Sequence, residues 1–224
     1  MIVYWLMFLI PVIALYSPIK VEAELRRVLI LLLGLLFVIL IGFRHEVGGD
    51  WIPYIEIYNE IVKIAKSGSF DYLIFIASNN DFGYVMLNYL MYLFEVDIYF
   101  VNLVCALIFV YGVWRFAFCQ SNPWLVLIIS IPFLTLIVAM GYTRQSVAVG
   151  FIFAAIANLQ KQKNVWFWID ILLAIIFYKI AFIFLFFGVL QSNYIGKFAK
   201  ILLSLAIFTL IAYLMQSRLE FIYY

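Results

Sequence analysis

Long apolar runs separated by short polar segments dominate the pattern of this chain. Strands of a membrane barrel would alternate apolar and polar positions over about ten residues, whereas Val28–Phe43 and Trp124–Met140 are apolar almost throughout. A membrane helix needs about 20 residues, and fewer where the bilayer thins. The pattern therefore predicts an all-α fold, a polytopic transmembrane helical bundle of about eight spans. We place these spans at 2–17, 28–43, 98–118, 124–141, 144–159, 165–178, 180–190 and 201–216.

Composition strengthens the prediction that the chain lies in a lipid bilayer. The sequence is 68% hydrophobic and 12% charged, whereas soluble domains are about half apolar and a quarter charged. Met1–Tyr16 lacks the basic start and the small-residue cleavage site of a signal peptide, so we interpret it as the first span. Cys105 and Cys119 are too few for a disulfide framework and are interpreted as small apolar side chains.

Basic loops predict the orientation, because Lys and Arg are enriched in cytoplasmic loops. The basic residues fall in three groups: Lys20, Arg26 and Arg27 in the segment 18–27; Lys161 and Lys163; and Lys197 and Lys200. If all three groups are cytoplasmic, the N-terminus and the loop at about 44–82 lie outside. An odd number of crossings must then connect Asp81 to Lys161. The spans from 98 to 159 supply three, so the stretch 83–94, about 18 Å long as a helix, should be re-entrant or interfacial.

The apolar stretch 165–190 is too long for one straight span and is interrupted by Lys179. Two interpretations stay open: two crossings that turn near Tyr178–Lys179, or one strongly tilted helix with a snorkelling Lys179. With either interpretation, residues 1–224 are predicted to form a single integral membrane domain with an external loop at about 44–82. With two crossings, the charged residues on its external side are Arg44, His45, Asp50, Asp81, Arg144 and Lys179.

The first polar motif, Arg44–Tyr54, begins where the second span leaves the membrane. Gly48 and Gly49 permit positive φ and close backbone approach, and Pro53 suits the first turn of a helix. Residues 52–66 form an amphipathic pattern typical of a helix on the membrane surface. Arg44 as a snorkelling anchor and Asp50 as a helix cap are the alternatives to a functional role.

The motif Gly141–Ser146 places Arg144 at a helix N-terminus, where its charge opposes the macrodipole. A residue that weakens its own helix invites a functional explanation. A guanidinium beside free N–H groups suits a phosphate or diphosphate, with an interfacial anchor as the alternative. The small residues Ser146, Gly150 and Ala154 predict close packing against a neighbouring helix.

Two further elements carry isolated charges. Asp81 precedes Gly83 and Tyr84 at the start of the short apolar stretch, where it caps a helix or has a function. Lys179 interrupts an apolar run, and Asp170 lies well inside the preceding span, where it needs a partner.

In this order, the motifs resemble those of the EpsG/Wzy-like family of bacterial polysaccharide polymerases. The resemblance covers roughly residues 40–185. Members typically have an arginine, then Gly-Asp-aromatic-x-x-Tyr, then acidic-x-Gly-Tyr, then Arg-Gln, and finally aromatic-His-Lys-small-Ala. The matching residues are Arg44, Gly49, Asp50, Trp51 and Tyr54; Asp81, Gly83 and Tyr84; Arg144 and Gln145; and Phe177, Lys179 and Ala181. Tyr178 stands where the family usually has histidine. The chain is also shorter than expected and has no closing span after Arg218, so we expect a truncated copy or a fragment.

The resemblance implies a membrane glycosyltransferase of the bacterial inner membrane. It would join undecaprenyl-diphosphate-linked oligosaccharides into O-antigen, capsule or exopolysaccharide at the external face. The candidate catalytic bases are Asp50, with Asp81 and His45 as rivals. The candidate diphosphate- or glycan-binding residues are Arg44, Tyr54, Tyr84, Arg144, Gln145 and Lys179. A chain-length regulator and a flippase of the same pathway are the expected protein partners.

Other classes have less support in the sequence. It has no Walker loop, zinc spacing, dinucleotide fingerprint or nucleophile elbow, so we expect no cofactor, no metal and no nucleic-acid partner. A transporter or flippase of lipid-linked glycans would favour inverted repeats, which are not evident. A membrane acyltransferase would centre on a catalytic histidine, and the chain has only His45. A purely structural subunit leaves Arg44, Asp50 and Arg144 without a role.

Overall fold

Helices form at the predicted apolar runs throughout the described part of the chain. The computed structural model describes residues 2–18, 22–68, 76, 80–185, 188, 196, 202, 205, 206 and 209. Its α-helices are α1 (Ile2–Tyr16), α2 (Ala23–Gly42), α3 (Trp51–Ser67), α4 (Phe82–Leu93), α5 (Ile98–Ala117), α6 (Pro123–Ser130), α7 (Thr143–Gln160) and α8 (Asn164–Phe177). A π-helix, Ile131–Ala139, continues α6, and a 3-10 helix, Lys179–Phe184, follows α8. These residues include no strand, and the all-α class is confirmed.

The start of the second helix was predicted too late. Helix α2 begins at Ala23 rather than at residue 28, so Arg26 and Arg27 lie within the helix and not in a loop. Ala, Glu, Leu and Arg are all good helix formers, and arginine keeps its charge in water while its stem lies along apolar surface. Hydropathy alone therefore predicted that the helix begins after the charged residues, although the helical backbone includes them.

The break predicted near Tyr178–Lys179 is present. Helix α8 ends at Phe177, and Tyr178 is extended with φ −155° and ψ 107°. The alternative of one uninterrupted helix through Lys179 is wrong. A second irregularity occurs at Pro132, where α6 continues as the π-helix Ile131–Ala139. Pro132 has no N–H to donate to the regular helical hydrogen-bond pattern.

Only α2 and α5, among the described residues, are both long enough and apolar enough to cross a membrane by themselves. Shorter apolar helices correspond to the predicted spans 2–17, 124–141 and 165–178. The predicted span 180–190 begins with the 3-10 helix Lys179–Phe184, and four of its later residues lie outside the described part of the chain. The span 201–216 lies mostly outside the described residues, as do Lys20, Lys197, Lys200 and parts of the loop at 44–82. The count of about eight spans stays a prediction.

Helix α5 packs between α2 and α7. The Trp114 indole donates to the Ile30 carbonyl at 2.7 Å, while Gly42 lies against Leu103, so α2 and α5 are antiparallel. A Cβ on Gly112 would collide with the carbonyl of Gly150, which brings the α5 and α7 backbones into direct contact. This confirms the close packing predicted for Gly150.

The ends of these helices form two distinct polar regions. The Asn102–Thr143 contact joins the starts of α5 and α7, and the Arg115–Asn158 contact joins their ends, so the two helices are parallel. Helix α4 begins beside Arg144 and ends four residues before α5, at the same end of the bundle. That placement fits a segment that does not cross the membrane. Residues Met1–Lys179 form one compact unit and Ile180–Tyr224 another.

Candidate active site

An ion pair between Arg144 and Asp81 is at the centre of the candidate site. Arg144 Nη1 lies 3.1 Å from Asp81 Oδ2, and the two side chains are 27% and 9% exposed. Arg144 is the second residue of α7, whose N-cap residue, Tyr142, offers no side-chain cap. Asp81 immediately precedes α4 and makes no cap bond to its own helix. The carboxylate therefore holds the guanidinium of another helix instead of capping its own.

Tyr54 fixes the second side of Arg144. The guanidinium carbon lies 5.6 Å from the centre of the Tyr54 ring, and the Arg144 backbone N–H donates to the Tyr54 hydroxyl at 3.4 Å. Burial raises the pKa of the Tyr54 hydroxyl, although Arg144 acts to lower it. Tyr84 packs behind at a ring distance of 5.2 Å and is fully buried. Tyr84 thus supports Tyr54 in this conformation and does not itself face outward.

Arg44 lies deeper than Arg144. It is 6% exposed, and its guanidinium donates to the Ile41 carbonyl at 3.0 Å and to the Thr143 hydroxyl at 2.5 Å. Asn102 Oδ1 lies 3.5 Å away, and Arg44 Nε has no partner among the described residues. Burial lowers the pKa of the Arg44 guanidinium from its ordinary value. Arg44 therefore places an uncompensated cation beneath the start of α7.

The break after α8 contributes backbone and side-chain contacts. The Lys179 N–H donates to Asp81 Oδ1 at 3.2 Å, and the Gln145 amide donates to the Tyr178 hydroxyl at 3.3 Å. Both oxygens of Asp81 are therefore engaged, one by Arg144 and the other by Lys179. Tyr178 accepts this hydrogen bond and so orients Gln145.

The Gly-Gly turn brings the first motif against Met140 and Gly141, which lie just before α7. Gly48 has φ 102°, and a Cβ there would lie 2.5 Å from the Met140 carbonyl oxygen. Gly49, in contrast, has open space around it, so the close approach predicted for both glycines occurs only at Gly48. Asp50 follows at the N-cap position of α3, half-buried and without a side-chain cap bond.

His45 contacts Tyr99 and Trp51 and neither member of the ion pair. Its Nδ1 lies 2.7 Å from the Tyr99 hydroxyl, and its ring is 5.8 Å from that of Trp51. Its side chain is exposed. The structure thus brings Arg44, Tyr54, Asp81, Tyr84 and Arg144 into one arginine cluster, with Gln145 and the Lys179 backbone beside it, and places His45 on a separate aromatic patch.

Two members of the site were missed from the sequence. Asn102 and Thr143 are each 1% exposed and hold Arg44 in place. Asn102 interrupts an otherwise apolar span, and a polar residue at such a position is a functional candidate. Thr143 immediately precedes Arg144. The partner needed by Asp170 is Asn158, whose amide donates to the carboxylate at 2.6 Å, far from this cluster.

The model of the EpsG family matches residues 27–224, which include every residue of the arginine cluster. The chain belongs to the EpsG family. EpsG-like proteins are Wzy-type polysaccharide polymerases. No curated protein and no solved structure matches the chain. Family membership and the apolar helices together make this EpsG-family chain a membrane protein of polysaccharide biosynthesis.

Proposed function

We propose that this EpsG-family chain is a glycosyltransferase that polymerises undecaprenyl-diphosphate-linked oligosaccharides at the external face of a bacterial inner membrane. The observation that carries the proposal is the half-buried Arg144 guanidinium, held by Asp81 and Tyr54 at the N-terminus of α7. Such a group suits the diphosphate of a lipid-linked donor.

The reaction would exchange one bond to the anomeric carbon for another. The bond between the donor sugar and its lipid diphosphate breaks, and a bond to a hydroxyl oxygen of the acceptor unit forms. The acceptor proton passes to a carboxylate, and the lipid diphosphate leaves with the electron pair. Negative charge therefore grows on the diphosphate oxygen in the transition state, where a fixed cation lowers the barrier.

Arg144 and Arg44 would act at different depths. Arg144 retains an exposed fraction of 27% and can contact the diphosphate directly. Arg44 is buried and held by protein oxygens, so its charge would act through the low-dielectric interior without contact. In this proposal Arg144 binds the leaving group, while Arg44 adds to the positive potential that attracts it.

Asp50 is the favoured base among the three candidates. Its carboxylate is half-buried, has no hydrogen-bond or ion-pair partner among the described residues, and lies one helical turn before Tyr54. Asp81 has both oxygens engaged and would instead position Arg144. His45 shares its Nδ1 with Tyr99. A base must be free to accept a proton, which favours Asp50.

The test uses Arg144→Ala in a strain that lacks the chromosomal copy and makes lipid-linked repeat units. We expect the variant to reach the membrane at normal levels but to lose the ladder of long glycans, with single repeat units retained. Lys63→Ala, which removes an exposed cation from α3, should keep the ladder. A normal ladder from Arg144→Ala would refute the assignment, and loss of all surface units would indicate a flippase instead.

A further inference from the structure

A basic cleft lies at the end of the bundle opposite the arginine cluster. It is a cavity of about 380 Å³ lined by Arg26 and Arg27 of α2 and by Lys161 just after α7, with Gln120 and Ser121 from the segment after α5. Helix rise places it roughly 25 Å from Arg44 along α2. The cleft therefore has no part in binding at the arginine cluster.

An apolar groove opens from the same point. It is a cavity of about 470 Å³ between α2 and α5 that shares Arg27 and Lys161 with the basic cleft and extends along α2 to Val38. From Arg27 to Val38 a helix rises about 17 Å, about half of a hydrocarbon core of roughly 30 Å. The groove thus has the length of one leaflet.

The groove is open to lipid on its outer side and floored by an aromatic ring. Leu35 and Leu107 on its walls are 57% and 55% exposed. Gly34 leaves room for Trp114, since a Cβ there would lie 2.9 Å from the indole nitrogen. An acyl chain can enter from the bilayer and rest on the apolar residues of α2 and α5 that line the groove.

Arg26, Arg27 and Lys161, at the mouth, have no acidic partner among the described residues. No carboxylate is among the described residues that line the cleft or the groove. Arg27 lies over the Phe118 ring at 5.8 Å. Arg26 and Arg27 also sit at the end of α2 where the macrodipole disfavours cations. A bound anion would offset this unfavourable interaction with the helix dipole.

We propose that the cleft and groove bind an anionic phospholipid of the bilayer, with its phosphate on Arg27 and Lys161 and one acyl chain in the groove. A basic pocket between membrane helices suits anionic head groups. By the orientation expected from the basic loops, this lipid belongs to the cytoplasmic leaflet. The site is independent of the proposed polymerase chemistry.

The test measures lipid binding to the purified full chain by native mass spectrometry, with phosphatidylglycerol, phosphatidylcholine and undecaprenyl phosphate added in separate arms. The wild type should bind phosphatidylglycerol in clear preference to phosphatidylcholine. The double variant Arg27→Gln/Lys161→Gln should bind it about 30-fold more weakly, the effect of two interfacial cations. Lys163→Gln, in the same loop but outside both cavities, should bind as the wild type does.

A second pair of variants tests the groove without touching the charges. Leu35 lines the groove and Leu32 does not, yet both are 57% exposed on α2. Leu35→Trp should block the acyl chain and reduce phosphatidylglycerol binding, while Leu32→Trp should not. The proposal is overturned by equal binding of both phospholipids, by unchanged binding to both the double variant and Leu35→Trp, or by preference for undecaprenyl phosphate over phosphatidylglycerol.

Discussion

Replacing Asp81 with asparagine isolates what the ion pair with Arg144 contributes. The substitution keeps the size of the side chain but leaves one acceptor oxygen in place of two. If that oxygen keeps the Lys179 N–H at 3.2 Å, an NH₂ group faces Arg144 Nη1 at the former 3.1 Å contact. The NH₂ group of the asparagine and the N–H groups of Arg144 are both donors, so the Arg144 guanidinium must move away.

The stability lost in Asp81→Asn can be calculated from the Arg144–Asp81 distance and from the exposure of the two side chains. Two unit charges 3.1 Å apart attract by about 5 kcal/mol at an effective dielectric constant of about 20. Desolvation offsets much of this, and the Arg144 side chain is 27% exposed. We therefore expect a loss of about 1–3 kcal/mol in the free energy of unfolding. Displacing the guanidinium by about 1 Å should lower polymerisation about 100-fold.

The assay combines polymerisation kinetics on a lipid-linked repeat unit with thermal unfolding of the purified protein. Asp81→Asn should lower kcat/KM about 100-fold, and adding it to Arg144→Ala should cause little further loss, because both act through one guanidinium. Asp170→Asn is the matched control: it removes a buried carboxylate bound to Asn158 and should lower stability while leaving kcat/KM of the folded protein unchanged. Activity of Asp81→Asn within twofold of wild type, or losses that multiply in the double variant, would refute the reasoning.

Two glycine pairs give further predictions. Gly48→Ala should lower the free energy of unfolding by about 1–3 kcal/mol or more. The φ of 102° at this position is strained for alanine, and the added Cβ would meet the Met140 carbonyl. Gly49→Ala places its Cβ in open space and should not lower the free energy of unfolding. Thermal unfolding of both variants checks this, and equal midpoints would contradict it. Gly112→Ala should cost about 1–3 kcal/mol or more by forcing α5 from α7, whereas Gly141→Ala meets no atom within 4 Å and should unfold like the wild type. A Gly112→Ala protein as stable as wild type would show that the helices have room to separate.

Much of the helical framework could be predicted from hydropathy, because an apolar run in lipid has to satisfy its own backbone. The short stretch that became α4 and the break after Phe177 were both predictable from length and an interrupting charge. The start of α2 could not be predicted in this way, because the charges of Arg26 and Arg27 indicated a loop although arginine is a good helix former.

The candidate site was predictable in its members but not in their contacts. Arg144 was singled out because it opposes its own helix dipole, and it does lie at the centre of the cluster. Its pairing with Asp81 joins residues 63 positions apart, and no local pattern reports such a contact. The burial of Arg44 was equally invisible, since it depends on how α5 and α7 meet above it.

Because Gly112 and Gly150 bring the α5 and α7 backbones into contact, we expect the two helices to move together. Backbone lies against backbone, so neither helix can slide or rotate past the other without a collision. Adjustment to an arriving substrate is then left to α3 and α4, which hold Tyr54 and Asp81 against Arg144. The Arg144 guanidinium would keep its place on α7, while Tyr54 and Asp81, which hold it, would move with α3 and α4.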